Sequence, residues 1–184
     1  MKMKTARGFL SLLVFAIATP AVANNFNNGG IVGLTNLQGA LSFDGSSTAV
    51  YAGQGFSRQI GWNIQSGSIL PDPTTVDPSR LETEGILTFR GVQGPNPFFG
   101  GRPIHVIYTR RGLVFCTWTA VFTGQFSPDG MAVLRGDGRF RVVGGTGRYR
   151  NARGTFRTLF ETIPIPATSD SAIAWFTQQG RLGR

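Results

Sequence analysis

The chain carries one histidine, His105, and one cysteine, Cys116. A lone imidazole cannot build a metal site that needs several, and it confines any serine- or cysteine-based nucleophilic apparatus to its own surroundings. His105 stands between Ile104 and Val106 on an expected strand, where a surface position or a satisfied core position is the default. Cys116 lies in the apolar run 114–118 and reads as a buried, inert thiol, and being single it forms no intramolecular disulfide. Asp137, between Gly136 and Gly138, is a candidate catalytic acid if burial raises its pKa, or simply a turn residue. Arg153, the second catalytic candidate, either pairs with a carboxylate to fix a hairpin or points into the mouth of a cavity. Phe115, Trp118, Tyr108 and Tyr149 are the aromatic candidates for lining a ligand pocket or filling the core, with Arg141 as a polar neighbour. Glu82 and Glu84 share a strand face by their spacing and read as solvated. Nothing in these residues calls for a metal or another cofactor.

The densest local signal is the glycine cluster of residues 142–154, which contains Gly144, Gly145, Thr146, Gly147, Ala152 and Gly154. It follows an apolar stretch, as a phosphate-binding loop would. A dinucleotide fingerprint needs a third glycine where Arg150 stands, followed by an apolar helix. A P-loop needs a lysine, and there is none beyond Lys4. The glycines therefore make a tight connection between strands.

The elements that must position these residues are read from punctuation. Glycines are spread through the chain, and the segments between them are short and rich in Val, Ile, Phe and Thr. Eight candidate strands follow, at about 31–43, 48–61, 84–91, 103–109, 113–124, 130–136, 139–143 and 153–162, a number able to close on itself. Alternation is clearest late, where Phe140 and Val142 oppose Arg139 and Arg141, and Phe156 and Phe160 oppose Arg157 and Glu161. Residues 113–122 are apolar on both faces, so one face meets the core and the other meets a second apolar layer, a lined cavity or a subunit contact. The proline-bearing stretches 70–80 and 94–103 read as longer loops, the second with Phe98 and Phe99 folded back or offered to a partner. The spacing of Ile173 and Phe176 allows a short helix over 169–179.

Residues 142–154, read as Val-Val-Gly-Gly-Thr-Gly-Arg-Tyr-Arg-Asn-Ala-Arg-Gly, resemble the late-strand motif of the dirigent and allene oxide cyclase-like barrels, with Tyr149 where the family has phenylalanine. The resemblance covers roughly residues 115–161. It implies an all-β fold, an exported eight-stranded antiparallel β-barrel, often trimeric, that binds a small hydrophobic molecule. The family chemistry it implies is stereoselective cyclisation or coupling, isomerase-like if catalytic, achieved by orientation without a covalent intermediate.

Residues 1–23 read as a secretory signal: Lys2, Lys4 and Arg7, an apolar stretch over 9–18, then Ala21-Val22-Ala23. Cleavage before Asn24 would leave one domain, residues 24–184, in the periplasm or outside the cell. The apolar stretch is shorter than the roughly 20 residues a membrane span needs, and no later segment comes close. Beyond residue 23 the basic residues are fifteen arginines against nine acids, a formal charge of +6, and seven of these arginines fall between Arg135 and Arg157. Such a stripe, which includes Arg139, Arg141, Arg148 and Arg150, could hold an anionic polymer or a membrane surface without catalysis, the alternative function. Nucleic acid is disfavoured, because the aromatics alternate away from the arginines.

Overall fold

The computed structural model describes residues 24–183, and the expected signal at 1–23 lies outside the described residues. Ten strands form: β1 (Asn24–Thr35), β2 (Ala49–Ser57), β3 (Gly61–Asp72), β4 (Ile86–Gln93), β5 (His105–Thr109), β6 (Gly112–Phe126), β7 (Met131–Gly145), β8 (Arg153–Thr162), β9 (Ile165–Pro166) and β10 (Ser171–Gly183). Two short helices accompany them, α1 (Leu37–Leu41) and α2 (Pro78–Glu84). All pairings are antiparallel, and β1 joins β10 along its whole length.

The ring has eight positions. Residues 69–72 of β3 pair with β4 and residues 63–66 pair with β5, while both short strands pair with β6 on their other side. They run in the same direction and occupy one place, so they amount to a single strand interrupted by residues 94–104. With β6–β7, β7–β8, β8–β10 and β10–β1 paired in turn, the sheet closes into an eight-stranded antiparallel β-barrel, and β9 adds only a two-residue lip to β7.

Alternation explains why these segments become barrel staves. On β7, Leu134, Gly136, Gly138, Phe140 and Val142 are buried while Arg135, Asp137, Arg139 and Arg141 are exposed. Inside, rings touch in series: Phe26 on Phe156, Phe156 on Phe140, Phe140 on Trp118, Trp118 on Phe122 and Phe122 on Phe89, with centroids 5.0–6.1 Å apart. Each such pair contributes about 0.5–1.5 kcal/mol beyond its buried area. Leu37 and Ala40 of α1 are buried at one end of the barrel.

The glycine cluster lies at the other end, against the β5–β6 hairpin. The residue pairs Phe115–Gly144 and Cys116–Val142 leave Val143 as an extra residue, a bulge that bends β7. Gly147 adopts a positive φ of 55°, and a Cβ there would meet the Arg111 carbonyl at 2.5 Å, so glycine lets this turn lie against the β5–β6 hairpin. Thr146 N–H donates to Leu113 O at 2.9 Å, and Leu113 N–H donates back to Thr146 Oγ1 at 3.1 Å. A three-residue 3-10 turn, Gly147–Tyr149, buries Tyr149, then β8 begins.

Several expectations are corrected. The short helix expected over 169–179 is instead strand β10, because Ala172, Ala174, Phe176 and Gln178 alternate inward and Ile173 and Trp175 face out. The strands expected at 130–136 and 139–143 are one strand, β7, so Asp137 lies in mid-strand and not in a turn. Glu82 and Glu84 lie on α2, not on a strand, where Arg80 pairs with Glu84 one helical turn away.

Candidate functional site

A cavity of about 60 Å³ lies within the barrel, several times the roughly 10–15 Å³ that one water needs. Every position of the ring contributes to its wall: Val32 and Leu34, Tyr51, Gln65 and Ile69, His105, Trp118 and Phe122, Gly136 and Phe140, Thr158 and Phe160, Phe176 and Gln178. The wall is mainly aromatic and aliphatic, and none of its residues is charged.

Two polar clusters interrupt it. In the first, four buried amides bond one another: Asn28 Nδ2 donates to Gln178 Oε1 at 2.8 Å, Asn63 Nδ2 to Asn28 Oδ1 at 3.1 Å, Gln65 Nε2 to Gln178 Oε1 at 3.1 Å, and Gln178 Nε2 to Gln65 Oε1 at 3.0 Å. In the second, Trp118 Nε1–H donates to Tyr51 Oη at 3.1 Å and to Gln93 Oε1, and Tyr51 Oη lies 2.8 Å from His105 Nδ1. Gln93 is held in turn, its Nε2 donating to Gly94 O at 2.7 Å.

The second cluster leaves a group over. His105 is 1% exposed, its ring meets Phe140 edge-on at 5.1 Å, and its Nε2 has no hydrogen-bond partner among the described residues. Thr158 Oγ1, on the same cavity wall, is likewise buried without one. Burial alone lowers the His105 pKa to about 3, so the imidazole is neutral at ordinary pH. Burial pushes the Tyr51 hydroxyl and the Cys116 thiol far above their usual ranges. The cavity therefore presents hydrogen-bonding groups but no charge.

The residues singled out from sequence fall in different places. Trp118 lines the cavity. Phe115 faces outward, where Phe99 of the 94–104 excursion folds onto it at 5.3 Å, so this is the second apolar layer over β6. Asn96 anchors that excursion by donating to Ser66 O and Ile104 O, and Phe98 stays exposed. Tyr108 Oη lies 3.4 Å from both Ser66 Oγ and Phe98 O, under the same excursion. Tyr149 and Ala152 are buried in the glycine end, away from the cavity wall. Arg141 is exposed on the outer face of β7.

Asp137 also lies outside the barrel, where Arg157 Nε and Nη2 grip its carboxylate at 2.7 and 2.6 Å and hold its pKa below the usual carboxylate range. Arg153 is exposed and donates to Ala152 O at 2.8 Å, tying the turn through backbone carbonyls and not through a carboxylate. In the arginine stripe Arg135 pairs with Glu161 and the charge of Arg139 also acts on Asp137, while Arg141 makes no salt bridge among the described residues.

No family model, curated protein or solved structure matches the chain.

Sequence reasoning missed His105, Tyr51, Gln65, Thr158 and Gln178 as members of the site. His105 is flanked by Ile104 and Val106, both apolar, so no in-and-out contrast marked its face. The signal that could have found it is register: the only histidine, two residues N-terminal to an inward-facing Ile107, on the strand beside Trp118's.

Proposed function

We propose that the protein is an exported barrel that holds one small, largely apolar molecule in its interior and orients it for cyclisation or coupling, as the dirigent and allene oxide cyclase-like barrels do whose glycine motif it resembles. One observation carries the reading: His105 Nε2 and Thr158 Oγ1 are buried and unpartnered on a mainly aromatic and aliphatic wall. Leaving a buried polar atom unpaired costs about 1–3 kcal/mol, and a ligand bonded there offsets that cost. Aromatic walls fix the pose, and pose is the main contribution such a site can make to an intramolecular reaction. The arginine stripe is the weaker candidate, since Asp137 and Glu161 sit within it and neutralise part of it.

Copies of the barrel associate through the outer face of β1, β2, β3 and β10. Ile31, Phe56, Trp62, Ile64, Ile173 and Trp175 are each about half exposed or more there. The register sets them side by side, Phe56 opposite Trp62 and Ile31 opposite Trp175. The charges of this face, Asp72 and Arg181, sit near strand ends and its centre carries none, so two copies of a basic chain approach there with the least repulsion.

Native mass spectrometry of protein from its own host tests both halves. The expected result is an assembly of several subunits that releases a small organic molecule on denaturation. A species with the mass of polypeptide alone overturns the ligand reading, and a monomer at micromolar concentration overturns the association.

A further inference from the structure

The hydrogen-bond pattern behind His105 bears on which of its nitrogens carries the proton. Indole Nε1–H can only donate, so Trp118 makes both Tyr51 Oη and Gln93 Oε1 acceptors. The one Tyr51 proton then has two places to go, His105 Nδ1 at 2.8 Å or Gln93 Oε1 at 3.3 Å. The shorter contact favours Nδ1. A neutral imidazole that accepts at Nδ1 holds its hydrogen on Nε2. The unpartnered atom is thus a donor, and the Thr158 hydroxyl, whose hydrogen rotates, supplies a second on the same wall.

Resting on the reading of this cavity as a ligand site, we propose that its ligand is an uncharged carbonyl compound, a compact ketone or aldehyde whose oxygen accepts from His105 Nε2–H and Thr158 Oγ1–H while its hydrocarbon body lies against Trp118, Phe122, Phe140 and Phe160. A carbonyl oxygen has two lone pairs and no proton, which matches two donors. An acid is disfavoured because no arginine reaches the wall to neutralise a carboxylate, although the outer surface is rich in them. A plain hydrocarbon would leave both donors unpaired.

The test compares three probes of matched shape and of a size suited to a cavity of about 60 Å³, acetone, isobutene and acetate, by ligand-observed NMR on residues 24–184. Acetone is expected to bind about tenfold more tightly than either of the others, with its infrared C=O stretch shifted to lower frequency when bound. Thr158→Val, which keeps shape, and His105→Phe are each expected to erase most of the preference and the infrared shift. Equal binding of ketone and hydrocarbon overturns the carbonyl assignment while leaving the cavity as a ligand site. Preference for the carboxylate overturns the requirement for an uncharged ligand. Failure of all three to bind overturns the ligand reading itself.

Discussion

Two polar clusters lie inside the same barrel and differ in one respect. The quartet Asn28, Asn63, Gln65 and Gln178 spends its amides on itself, whereas the group around His105 leaves the imidazole Nε2 buried with nothing to bond. A satisfied network holds strands in register; a network with one polar atom left over costs stability unless something enters to meet it. The difference separates a structural use of buried polarity from a binding use, and it can be broken from either side.

The largest effect is expected on the satisfied side. Gln178→Leu strips Asn28 and Gln65 of their shared acceptor and lowers stability by about 2–4 kcal/mol in urea unfolding. A loss under 1 kcal/mol would mean the quartet is not what holds β1, β3 and β10 together.

Next comes the pH response of the other cluster. Folded His105 stays neutral down to about pH 3, while in the unfolded chain it titrates near 6.5, so between these values the unfolded state binds more protons. Stability is full above pH 6.5 and declines as pH falls below it. Between pH 7.5 and 4.5 the decline is about 2.7 kcal/mol, and His105→Phe removes it. The aspartates with lowered pKa values, such as Asp129 and Asp137, add their own losses only at pH values below this window. A wild-type profile flat from 7.5 to 4.5 would show that His105 is solvated.

Smaller still is Thr158→Val. Removing an unpartnered hydroxyl at constant shape leaves the ligand-free protein as stable as before, or more stable by up to about 1 kcal/mol. Destabilisation comparable to that of Gln178→Leu would place Thr158 with the satisfied cluster. The smallest effect belongs outside the barrel: Asp137→Asn loosens an exposed ion pair, and thermal melting at physiological salt is expected not to resolve the change.

How legible the molecule is from its sequence follows the same division between inside and outside. β8 and the later half of β7 could be read because charge marks their outer faces: Arg139 and Arg141 frame Phe140, and Arg157 frames Phe156, whereas the glycines beside Asp137 made one strand read as two. On β3 the pattern is inverted, with Asn63 and Gln65 buried and Trp62 and Ile64 exposed, so the usual rule of apolar-in and polar-out failed to mark the strand. β10 suffered the same way, since its outward Ile173 and inward Phe176 imitate helical spacing. The glycine cluster was legible as a strand connection because the missing third glycine and missing lysine excluded the phosphate loops. Trp118 was the one site residue found, because it sits on a strand whose two faces are both apolar and whose inner face meets the cavity. The orphaned imidazole nitrogen could not be read, because its surroundings depend on residues far apart in sequence, Tyr51, Gln93, His105 and Trp118, brought together only by the pairing of neighbouring staves.

The seam between β1 and β10 has a consequence for how the molecule comes into being. The earliest strand of the barrel finds one of its two lateral partners only when residues 171–183 arrive, so the native ring is unreachable from any shorter nascent segment. Synthesis therefore delivers a chain whose final closure is a single late event spanning nearly its entire length, slow by virtue of that span. A ribosome-bound product halted before Ser171 would bare the edges of both β1 and β8 to neighbouring polypeptides, an invitation to aggregate that the finished loop of staves withdraws.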